Sequence, residues 1–68
     1  MNFTIDTELE EDGRWIAEVL ELPGVLTYGD SEQEAISKAQ ALGLRVIADR
    51  IEHGEEVATQ LVISFVAA

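Results

Sequence analysis

A chain of 68 residues makes one domain of marginal size, able to bury only about 60% of the surface that its unfolded form exposes. It is 47% apolar, has no cysteine and one histidine, and carries fourteen acids against four bases for a net charge of −10. These values exclude a disordered segment, a disulfide scaffold and a basic nucleic-acid surface. No apolar run approaches the roughly 18 residues that cross a bilayer, and MNFTIDTE lacks the basic-then-apolar plan of a secretion signal, so a cytoplasmic protein without membrane contact is expected.

Asn2 to Leu9 alternates with the period of a half-buried strand, Phe3, Ile5 and Leu9 on one side and Thr4, Asp6 and Glu8 on the other. EEDG, Glu10 to Gly13, is a polar turn with a hairpin signal in Asp12 and Gly13. Arg14 to Leu22 reads as the returning strand. Its predicted inward set is Trp15, Ala17 and Val19, which puts Ile16, Glu18 and Leu20 outside beside Asp6 and Glu8. Pro23 and Gly24 then suit a type II turn, because proline presets the second position and glycine accepts the positive φ of the third. Val25 to Tyr28 is a short strand, broken by Gly29 and Asp30.

Ser31 with Glu34 three residues on matches a capping box, so a helix is predicted from Ser31 to about His53. At about 100° per residue, Ala35, Ile36, Ala39, Leu42, Gly43, Val46 and Ile47 fall on one broad face toward the sheet. Gly43 within that face allows either a close backbone approach or a bend. A second stripe, Ala41, Leu44, Ala48 and Ile51, must be covered by neighbouring segments or by another subunit, and the subunit is preferred as the oligomer interface. His53 and Gly54 end the helix. Gln60 to Val66 is apolar on both faces and reads as a last strand.

The expected fold is therefore α+β, a single β-β-β-α-β domain over residues 1–68 with one helix on one face of a four-stranded mixed sheet. The predicted strand order is 3-2-1-4, the first three strands antiparallel and the fourth parallel to the first through a right-handed crossover. The other face, with Asp6, Glu8, Ile16, Glu18 and Leu20, has the mixture of a partner-binding surface.

Four pieces of this sequence, in order, resemble a known family. EEDGRWIAEV, ELPG, TYGD and SEQEA are similar to the pattern of the HicB-like antitoxins, in which acids and glycine precede an aromatic, an LPG turn leads to a T-x-G-D turn, and a Ser/Thr-x-x-Glu-Ala helix follows. The resemblance runs from about Phe3 to Gly54. Leu20 stands where the pattern has proline, and its proline-bearing segment after the helix is missing between Glu55 and Gln60. The resemblance implies a partial ribonuclease H-like fold, and a short form lacking the DNA-binding extension, since the sequence given stops at Ala68. It further implies a partner, a small basic RNA-cleaving HicA-type toxin whose active histidine the antitoxin masks.

The acids fit a cationic partner by steering its approach, and equally fit simple solubility. Asp6 and Glu8 with Glu18 across from them raise a carboxylate metal site, but acids two apart on an exposed strand face are ordinarily solvated charges. His53 serves the helix end, Ser31 the cap, and Trp15 and Tyr28 the packing. The sequence thus predicts no enzyme, no catalytic or metal residues, no cofactor and no direct nucleic-acid contact. A homo-oligomer, by preference a dimer, and a small basic toxin are the partners expected. The alternative is a homo-oligomeric structural or ligand-binding module with no toxin.

Overall fold

Alternation from Asn2 lays down β1 (Asn2–Leu9), and the EEDG turn returns the chain as β2 (Trp15–Val19) in a computed structural model that describes residues 1–55 and 60–68. In that turn Gly13, at φ +89, donates to Glu10 O at 3.0 Å, the left-handed glycine that short hairpin loops require. β3 (Leu26–Gly29), α1 (Glu32–Glu52) and β4 (Ser64–Ala67) follow. The sheet order is β3-β2-β1-β4, with β1–β2 and β2–β3 antiparallel and β4 parallel to β1, the predicted α+β topology. The crossover from α1 to β4 passes through residues 56–59, outside the described residues.

β2 ends at Val19, three residues before the predicted boundary, because the chain turns twice in succession. Leu22 N donates to Val19 O at 3.1 Å and Val25 N to Leu22 O at 3.0 Å. The second turn holds Pro23 and then Gly24 at φ +89, the third position of a type II turn as predicted. Leu22 leaves the sheet and becomes a fully buried plug between the layers. β3 is displaced by one residue, to Leu26–Gly29, although Val25 O still accepts from Val19 N at 3.0 Å.

The helix begins where the capping signal places it. Ser31 Oγ accepts from Glu34 N at 3.1 Å, while the Glu34 carboxylate reaches Asp30 N at 3.4 Å and Lys38 Nζ at 3.1 Å. The return bond of the capping box thus lands one residue upstream of Ser31. Four residues at i, i+4 spacing, Ala35, Ala39, Gly43 and Ile47, are buried against the sheet, and Ile36, Leu42 and Val46 flank them. The small side chains bring α1 close to β2 and β3, where it packs more extensively than on β1. Phe3, Ile5, Ala17, Val19 and Val25 complete the core from the sheet side, with Trp15 half-buried beside them.

Leu9, predicted inward, is exposed. Thr7 Oγ1 donates to Glu32 Oε2 at 2.9 Å, so the first turn of α1 lies over Thr7, and Leu9 projects past the helix end. β4 is shorter than the predicted Gln60–Val66, because its ladder with β1 begins at Asn2 opposite Ser64, and before that pair only the Met1 ammonium reaches back, donating to Val62 O at 2.6 Å. Of the second helix stripe, Ile51 is partly buried against the core cluster, whereas Ala41, Leu44 and Ala48 are exposed.

A backbone approach too close for a side chain does not explain Gly43. A Cβ built there would stand 3.5 Å from the Phe65 ring and 3.6 Å from Leu22, ordinary contacts. Gly43→Ala is therefore expected to add about 1 kcal/mol of stability by helix propensity alone, raising the unfolding midpoint by about 4–8 °C. A lowered midpoint in a thermal scan would contradict this packing.

Candidate functional site

The face of the sheet opposite α1 gathers the residues predicted for it. Strand pairing sets Asp6 opposite Glu18 and Glu8 opposite Ile16, all with their side chains away from the helix. Leu20 stays in line after β2 ends, since its N–H donates to Thr4 O at 3.0 Å. Asp6, Glu8, Glu18 and Leu20 are exposed and Ile16 is half-buried. No element among the described residues covers this face.

The sequence reading missed two members of the surface. Tyr28 pairs with Ile16 and Leu26 with Glu18, which continues the apolar part of the face across β3. Both are about 40% exposed, Leu26 at 39% and Tyr28 at 40%. The signal was present, because an antiparallel third strand with Thr27 facing the helix necessarily turns its even-numbered neighbours outward. Thr27 Oγ1 donates to Ala35 O at 2.8 Å and fixes that phase. The result is an apolar band, Leu20, Leu26, Ile16 and Tyr28, bordered by the carboxylates of Asp6, Glu8 and Glu18.

Arg14 is the cation at one corner. Its guanidinium carbon lies 4.5 Å from the Tyr28 ring centroid, and its Nε is 2.8 Å from Asp12 Oδ2, so its charge is already engaged with an acid. The Arg14 backbone amide, and after it the side chain, hold the Asp12 carboxyl below its ordinary value. At the opposite corner Glu21 folds back on β1, where its carboxylate accepts from Thr4 N and from Thr4 Oγ1, both at 2.7 Å. It substitutes for a strand partner that the early turn removed.

Those two bonds, the amide before the hydroxyl, lower the Glu21 pKa from the ordinary value of 4.5. A depressed pKa means that the bonds stabilise the fold above the unfolded value, and that this contribution is lost as pH falls through the folded value. The unfolding midpoints of the parent and of Glu21→Gln should differ at pH 7 and converge as pH is lowered below about 4.5. A difference unchanged between those conditions would contradict the role given to Glu21.

Asp6, Glu8 and Glu18 form no cation cage, and among the described residues no three His, Cys, Asp or Glu side chains stand close enough together to hold a metal ion. His53 caps the helix with Nδ1 2.8 Å from Asp49 O and 3.2 Å from its carboxylate, distant in sequence and in fold from the acidic face. No helix among the described residues is long and apolar enough to cross a membrane. Comparison of the chain with protein-family models, with curated proteins and with solved structures found no significant match.

Proposed function

We propose that this chain is a HicB-like antitoxin or a derived stand-alone member, a protein-binding module that masks a small basic RNA-cleaving toxin of the HicA type. The reading rests on the sequence resemblance described above, and one structural observation supports it. Asp6, Glu8 and Glu18 stand beside Ile16, Leu20, Leu26 and Tyr28 on a sheet face that no described element covers. Carboxylates at the border steer a cationic protein and fix its orientation, while the apolar band supplies the area that leaves water on contact. With net charge −10, the same surface repels nucleic acid, so the chain acts on RNA cleavage through the protein it covers and performs no catalysis of its own.

Affinity capture tests the reading. Tagged parent chain and an Asp6→Lys/Glu18→Lys variant are exposed to lysate of the cells that encode them, at low and at high salt. The parent is expected to retain a small basic protein that salt releases, and the variant to lose at least ten times in affinity for it, about 1.4 kcal/mol. Failure to retain any basic protein, or equal retention by the variant, contradicts the proposal.

A second reading, a homo-oligomeric structural or ligand-binding module without a toxin, draws on a different surface. Ala41, Leu44 and Ala48 are exposed along the outer side of α1, with Leu44 at 46%. Recovery of the chain alone, as an assembly that Leu44→Glu disrupts, would favour this second reading.

A further inference from the structure

We infer that β4, at the edge of the sheet, is a pairing surface for a second copy of this chain, the two β4 strands lying antiparallel across a two-fold axis so that two four-stranded sheets become one of eight. The inference is independent of what the open face binds.

The backbone supplies the first observation. Ser64 N donates to Met1 O and Ala68 N to Ile5 O, each at 2.9 Å, and the ladder sets Asn2 opposite Ser64 and Thr4 opposite Val66. Ser64, Val66 and Ala68 thus turn their peptide groups toward β1. Strand alternation directs those of Phe65 and Ala67 outward, and no described residue bonds to them. Unpaired groups of this kind are a template for another strand.

The other edge of the sheet is blocked. On β3, Tyr28 O accepts from Lys38 Nζ at 3.2 Å, the Arg14 guanidinium lies over the Tyr28 ring, and Gly29 is pressed against the first turn of α1. Charged side chains at an edge are a common means of preventing strand addition. β4 has none, because the sequence contains no charged side chain after Glu56.

Charge then selects the occupant. Two copies at −10 each repel over most of their surfaces, and contact through the open face would set Asp6, Glu8 and Glu18 against the same acids. The uncharged β4 is the stretch along which like can meet like, and a two-fold axis makes the paired strands antiparallel by symmetry. Exposed Val66 meets its counterpart on the open side. On the helix side, a groove of about 420 Å³ runs beside the edge, lined by Ile5, Ile36, Phe65 and Ala67 together with Asp6 and Glu32, so only uncharged or basic side chains of the partner copy fit it.

Light scattering of the full chain, combined with residue-resolved amide hydrogen exchange, tests the inference. A dimer, or a larger even assembly, is expected, with the Phe65 and Ala67 amides slowed at least tenfold relative to dilute, dissociated protein. Ala67→Pro removes an outward N–H and leaves the bonds to β1 in place, so it should halve the assembly mass with the helical circular dichroism unchanged. Leu44→Glu should leave the protection at Phe65 and Ala67 intact. A monomer at all concentrations, an assembly whose Phe65 and Ala67 amides exchange freely, or a folded Ala67→Pro variant of undiminished mass overturns the inference. If that variant does not fold, the exchange of the parent protein decides by itself.

Discussion

Gly29→Ala is expected to cost the fold about 3 kcal/mol or more, a large share of what a domain of this length has. A Cβ at this position would stand 2.5 Å from Ala35 N and 3.0 Å from the Glu34 carbonyl carbon, both backbone atoms of the first helical turn. Neither can swing aside as a side chain would. The junction is held by the Ser31 cap and by the bond from Thr27 Oγ1 to Ala35 O, so relief requires α1 to lift from β3. Overpacking costs about 1–3 kcal/mol where side chains can adjust, and a clash between backbones belongs at or above the top of that range. A domain of this length has roughly 3–10 kcal/mol in total. Chemical denaturation followed by far-ultraviolet circular dichroism checks the prediction, and an unchanged midpoint would mean that β3 and α1 are too far apart for this clash.

Leu22→Ala should be nearly as damaging, by about 2–5 kcal/mol, the usual range for emptying a well-packed leucine site. Leu22 is only 1% exposed, although it lies in the turn between β2 and β3 and outside every regular element. Leu20, two residues earlier, makes an internal control. It is 50% exposed, so Leu20→Ala should cost little stability and instead weaken whatever binds the open face. Equal losses of stability at the two positions would contradict the assignment of Leu22 to the core and Leu20 to the surface.

Most of the fold was legible because its signals are local and independent. The alternation of β1, the Asp12–Gly13 hairpin, the Pro23–Gly24 turn, the Ser31 cap and the sheet-facing stripe of α1 each specify one element, and together they leave few ways to order the strands. The misreadings have a common physical origin in contacts between elements. Leu22 looks like the end of a strand until two successive turns remove it from the sheet. Leu61 and Val62 alternate as a strand does, but the ladder with β1 begins only at Ser64, and a single bond from the Met1 ammonium to Val62 O precedes it. Gly29 looks like a breaker, and the tightness of its contact with Ala35 appears only when β3 and α1 are placed together.

The same holds for the candidate site. Asp6, Glu8, Ile16, Glu18 and Leu20 follow from the phase of two neighbouring strands, and the structure places them on one face. Leu26 and Tyr28 join them through the register of β3, which moved by one residue from its expected position. In the helix stripe, Ala41, Leu44 and Ala48 remain on the surface, but Ile51 is partly buried against the core cluster, a placement that a helical wheel does not contain.

The face bearing Asp6, Glu8 and Glu18 is proposed to bind a cationic protein. The most direct test is nuclear magnetic resonance of the chain before and after addition of the purified basic partner recovered by affinity capture. The methyl signals of Ile16, Leu20 and Leu26 and the ring signals of Tyr28 are expected to shift or broaden, while those of Leu44 and Ala48 on the outer side of α1 stay in place. Perturbation centred on Leu44 and Ala48, with the Ile16 and Tyr28 signals unmoved, would contradict the proposal.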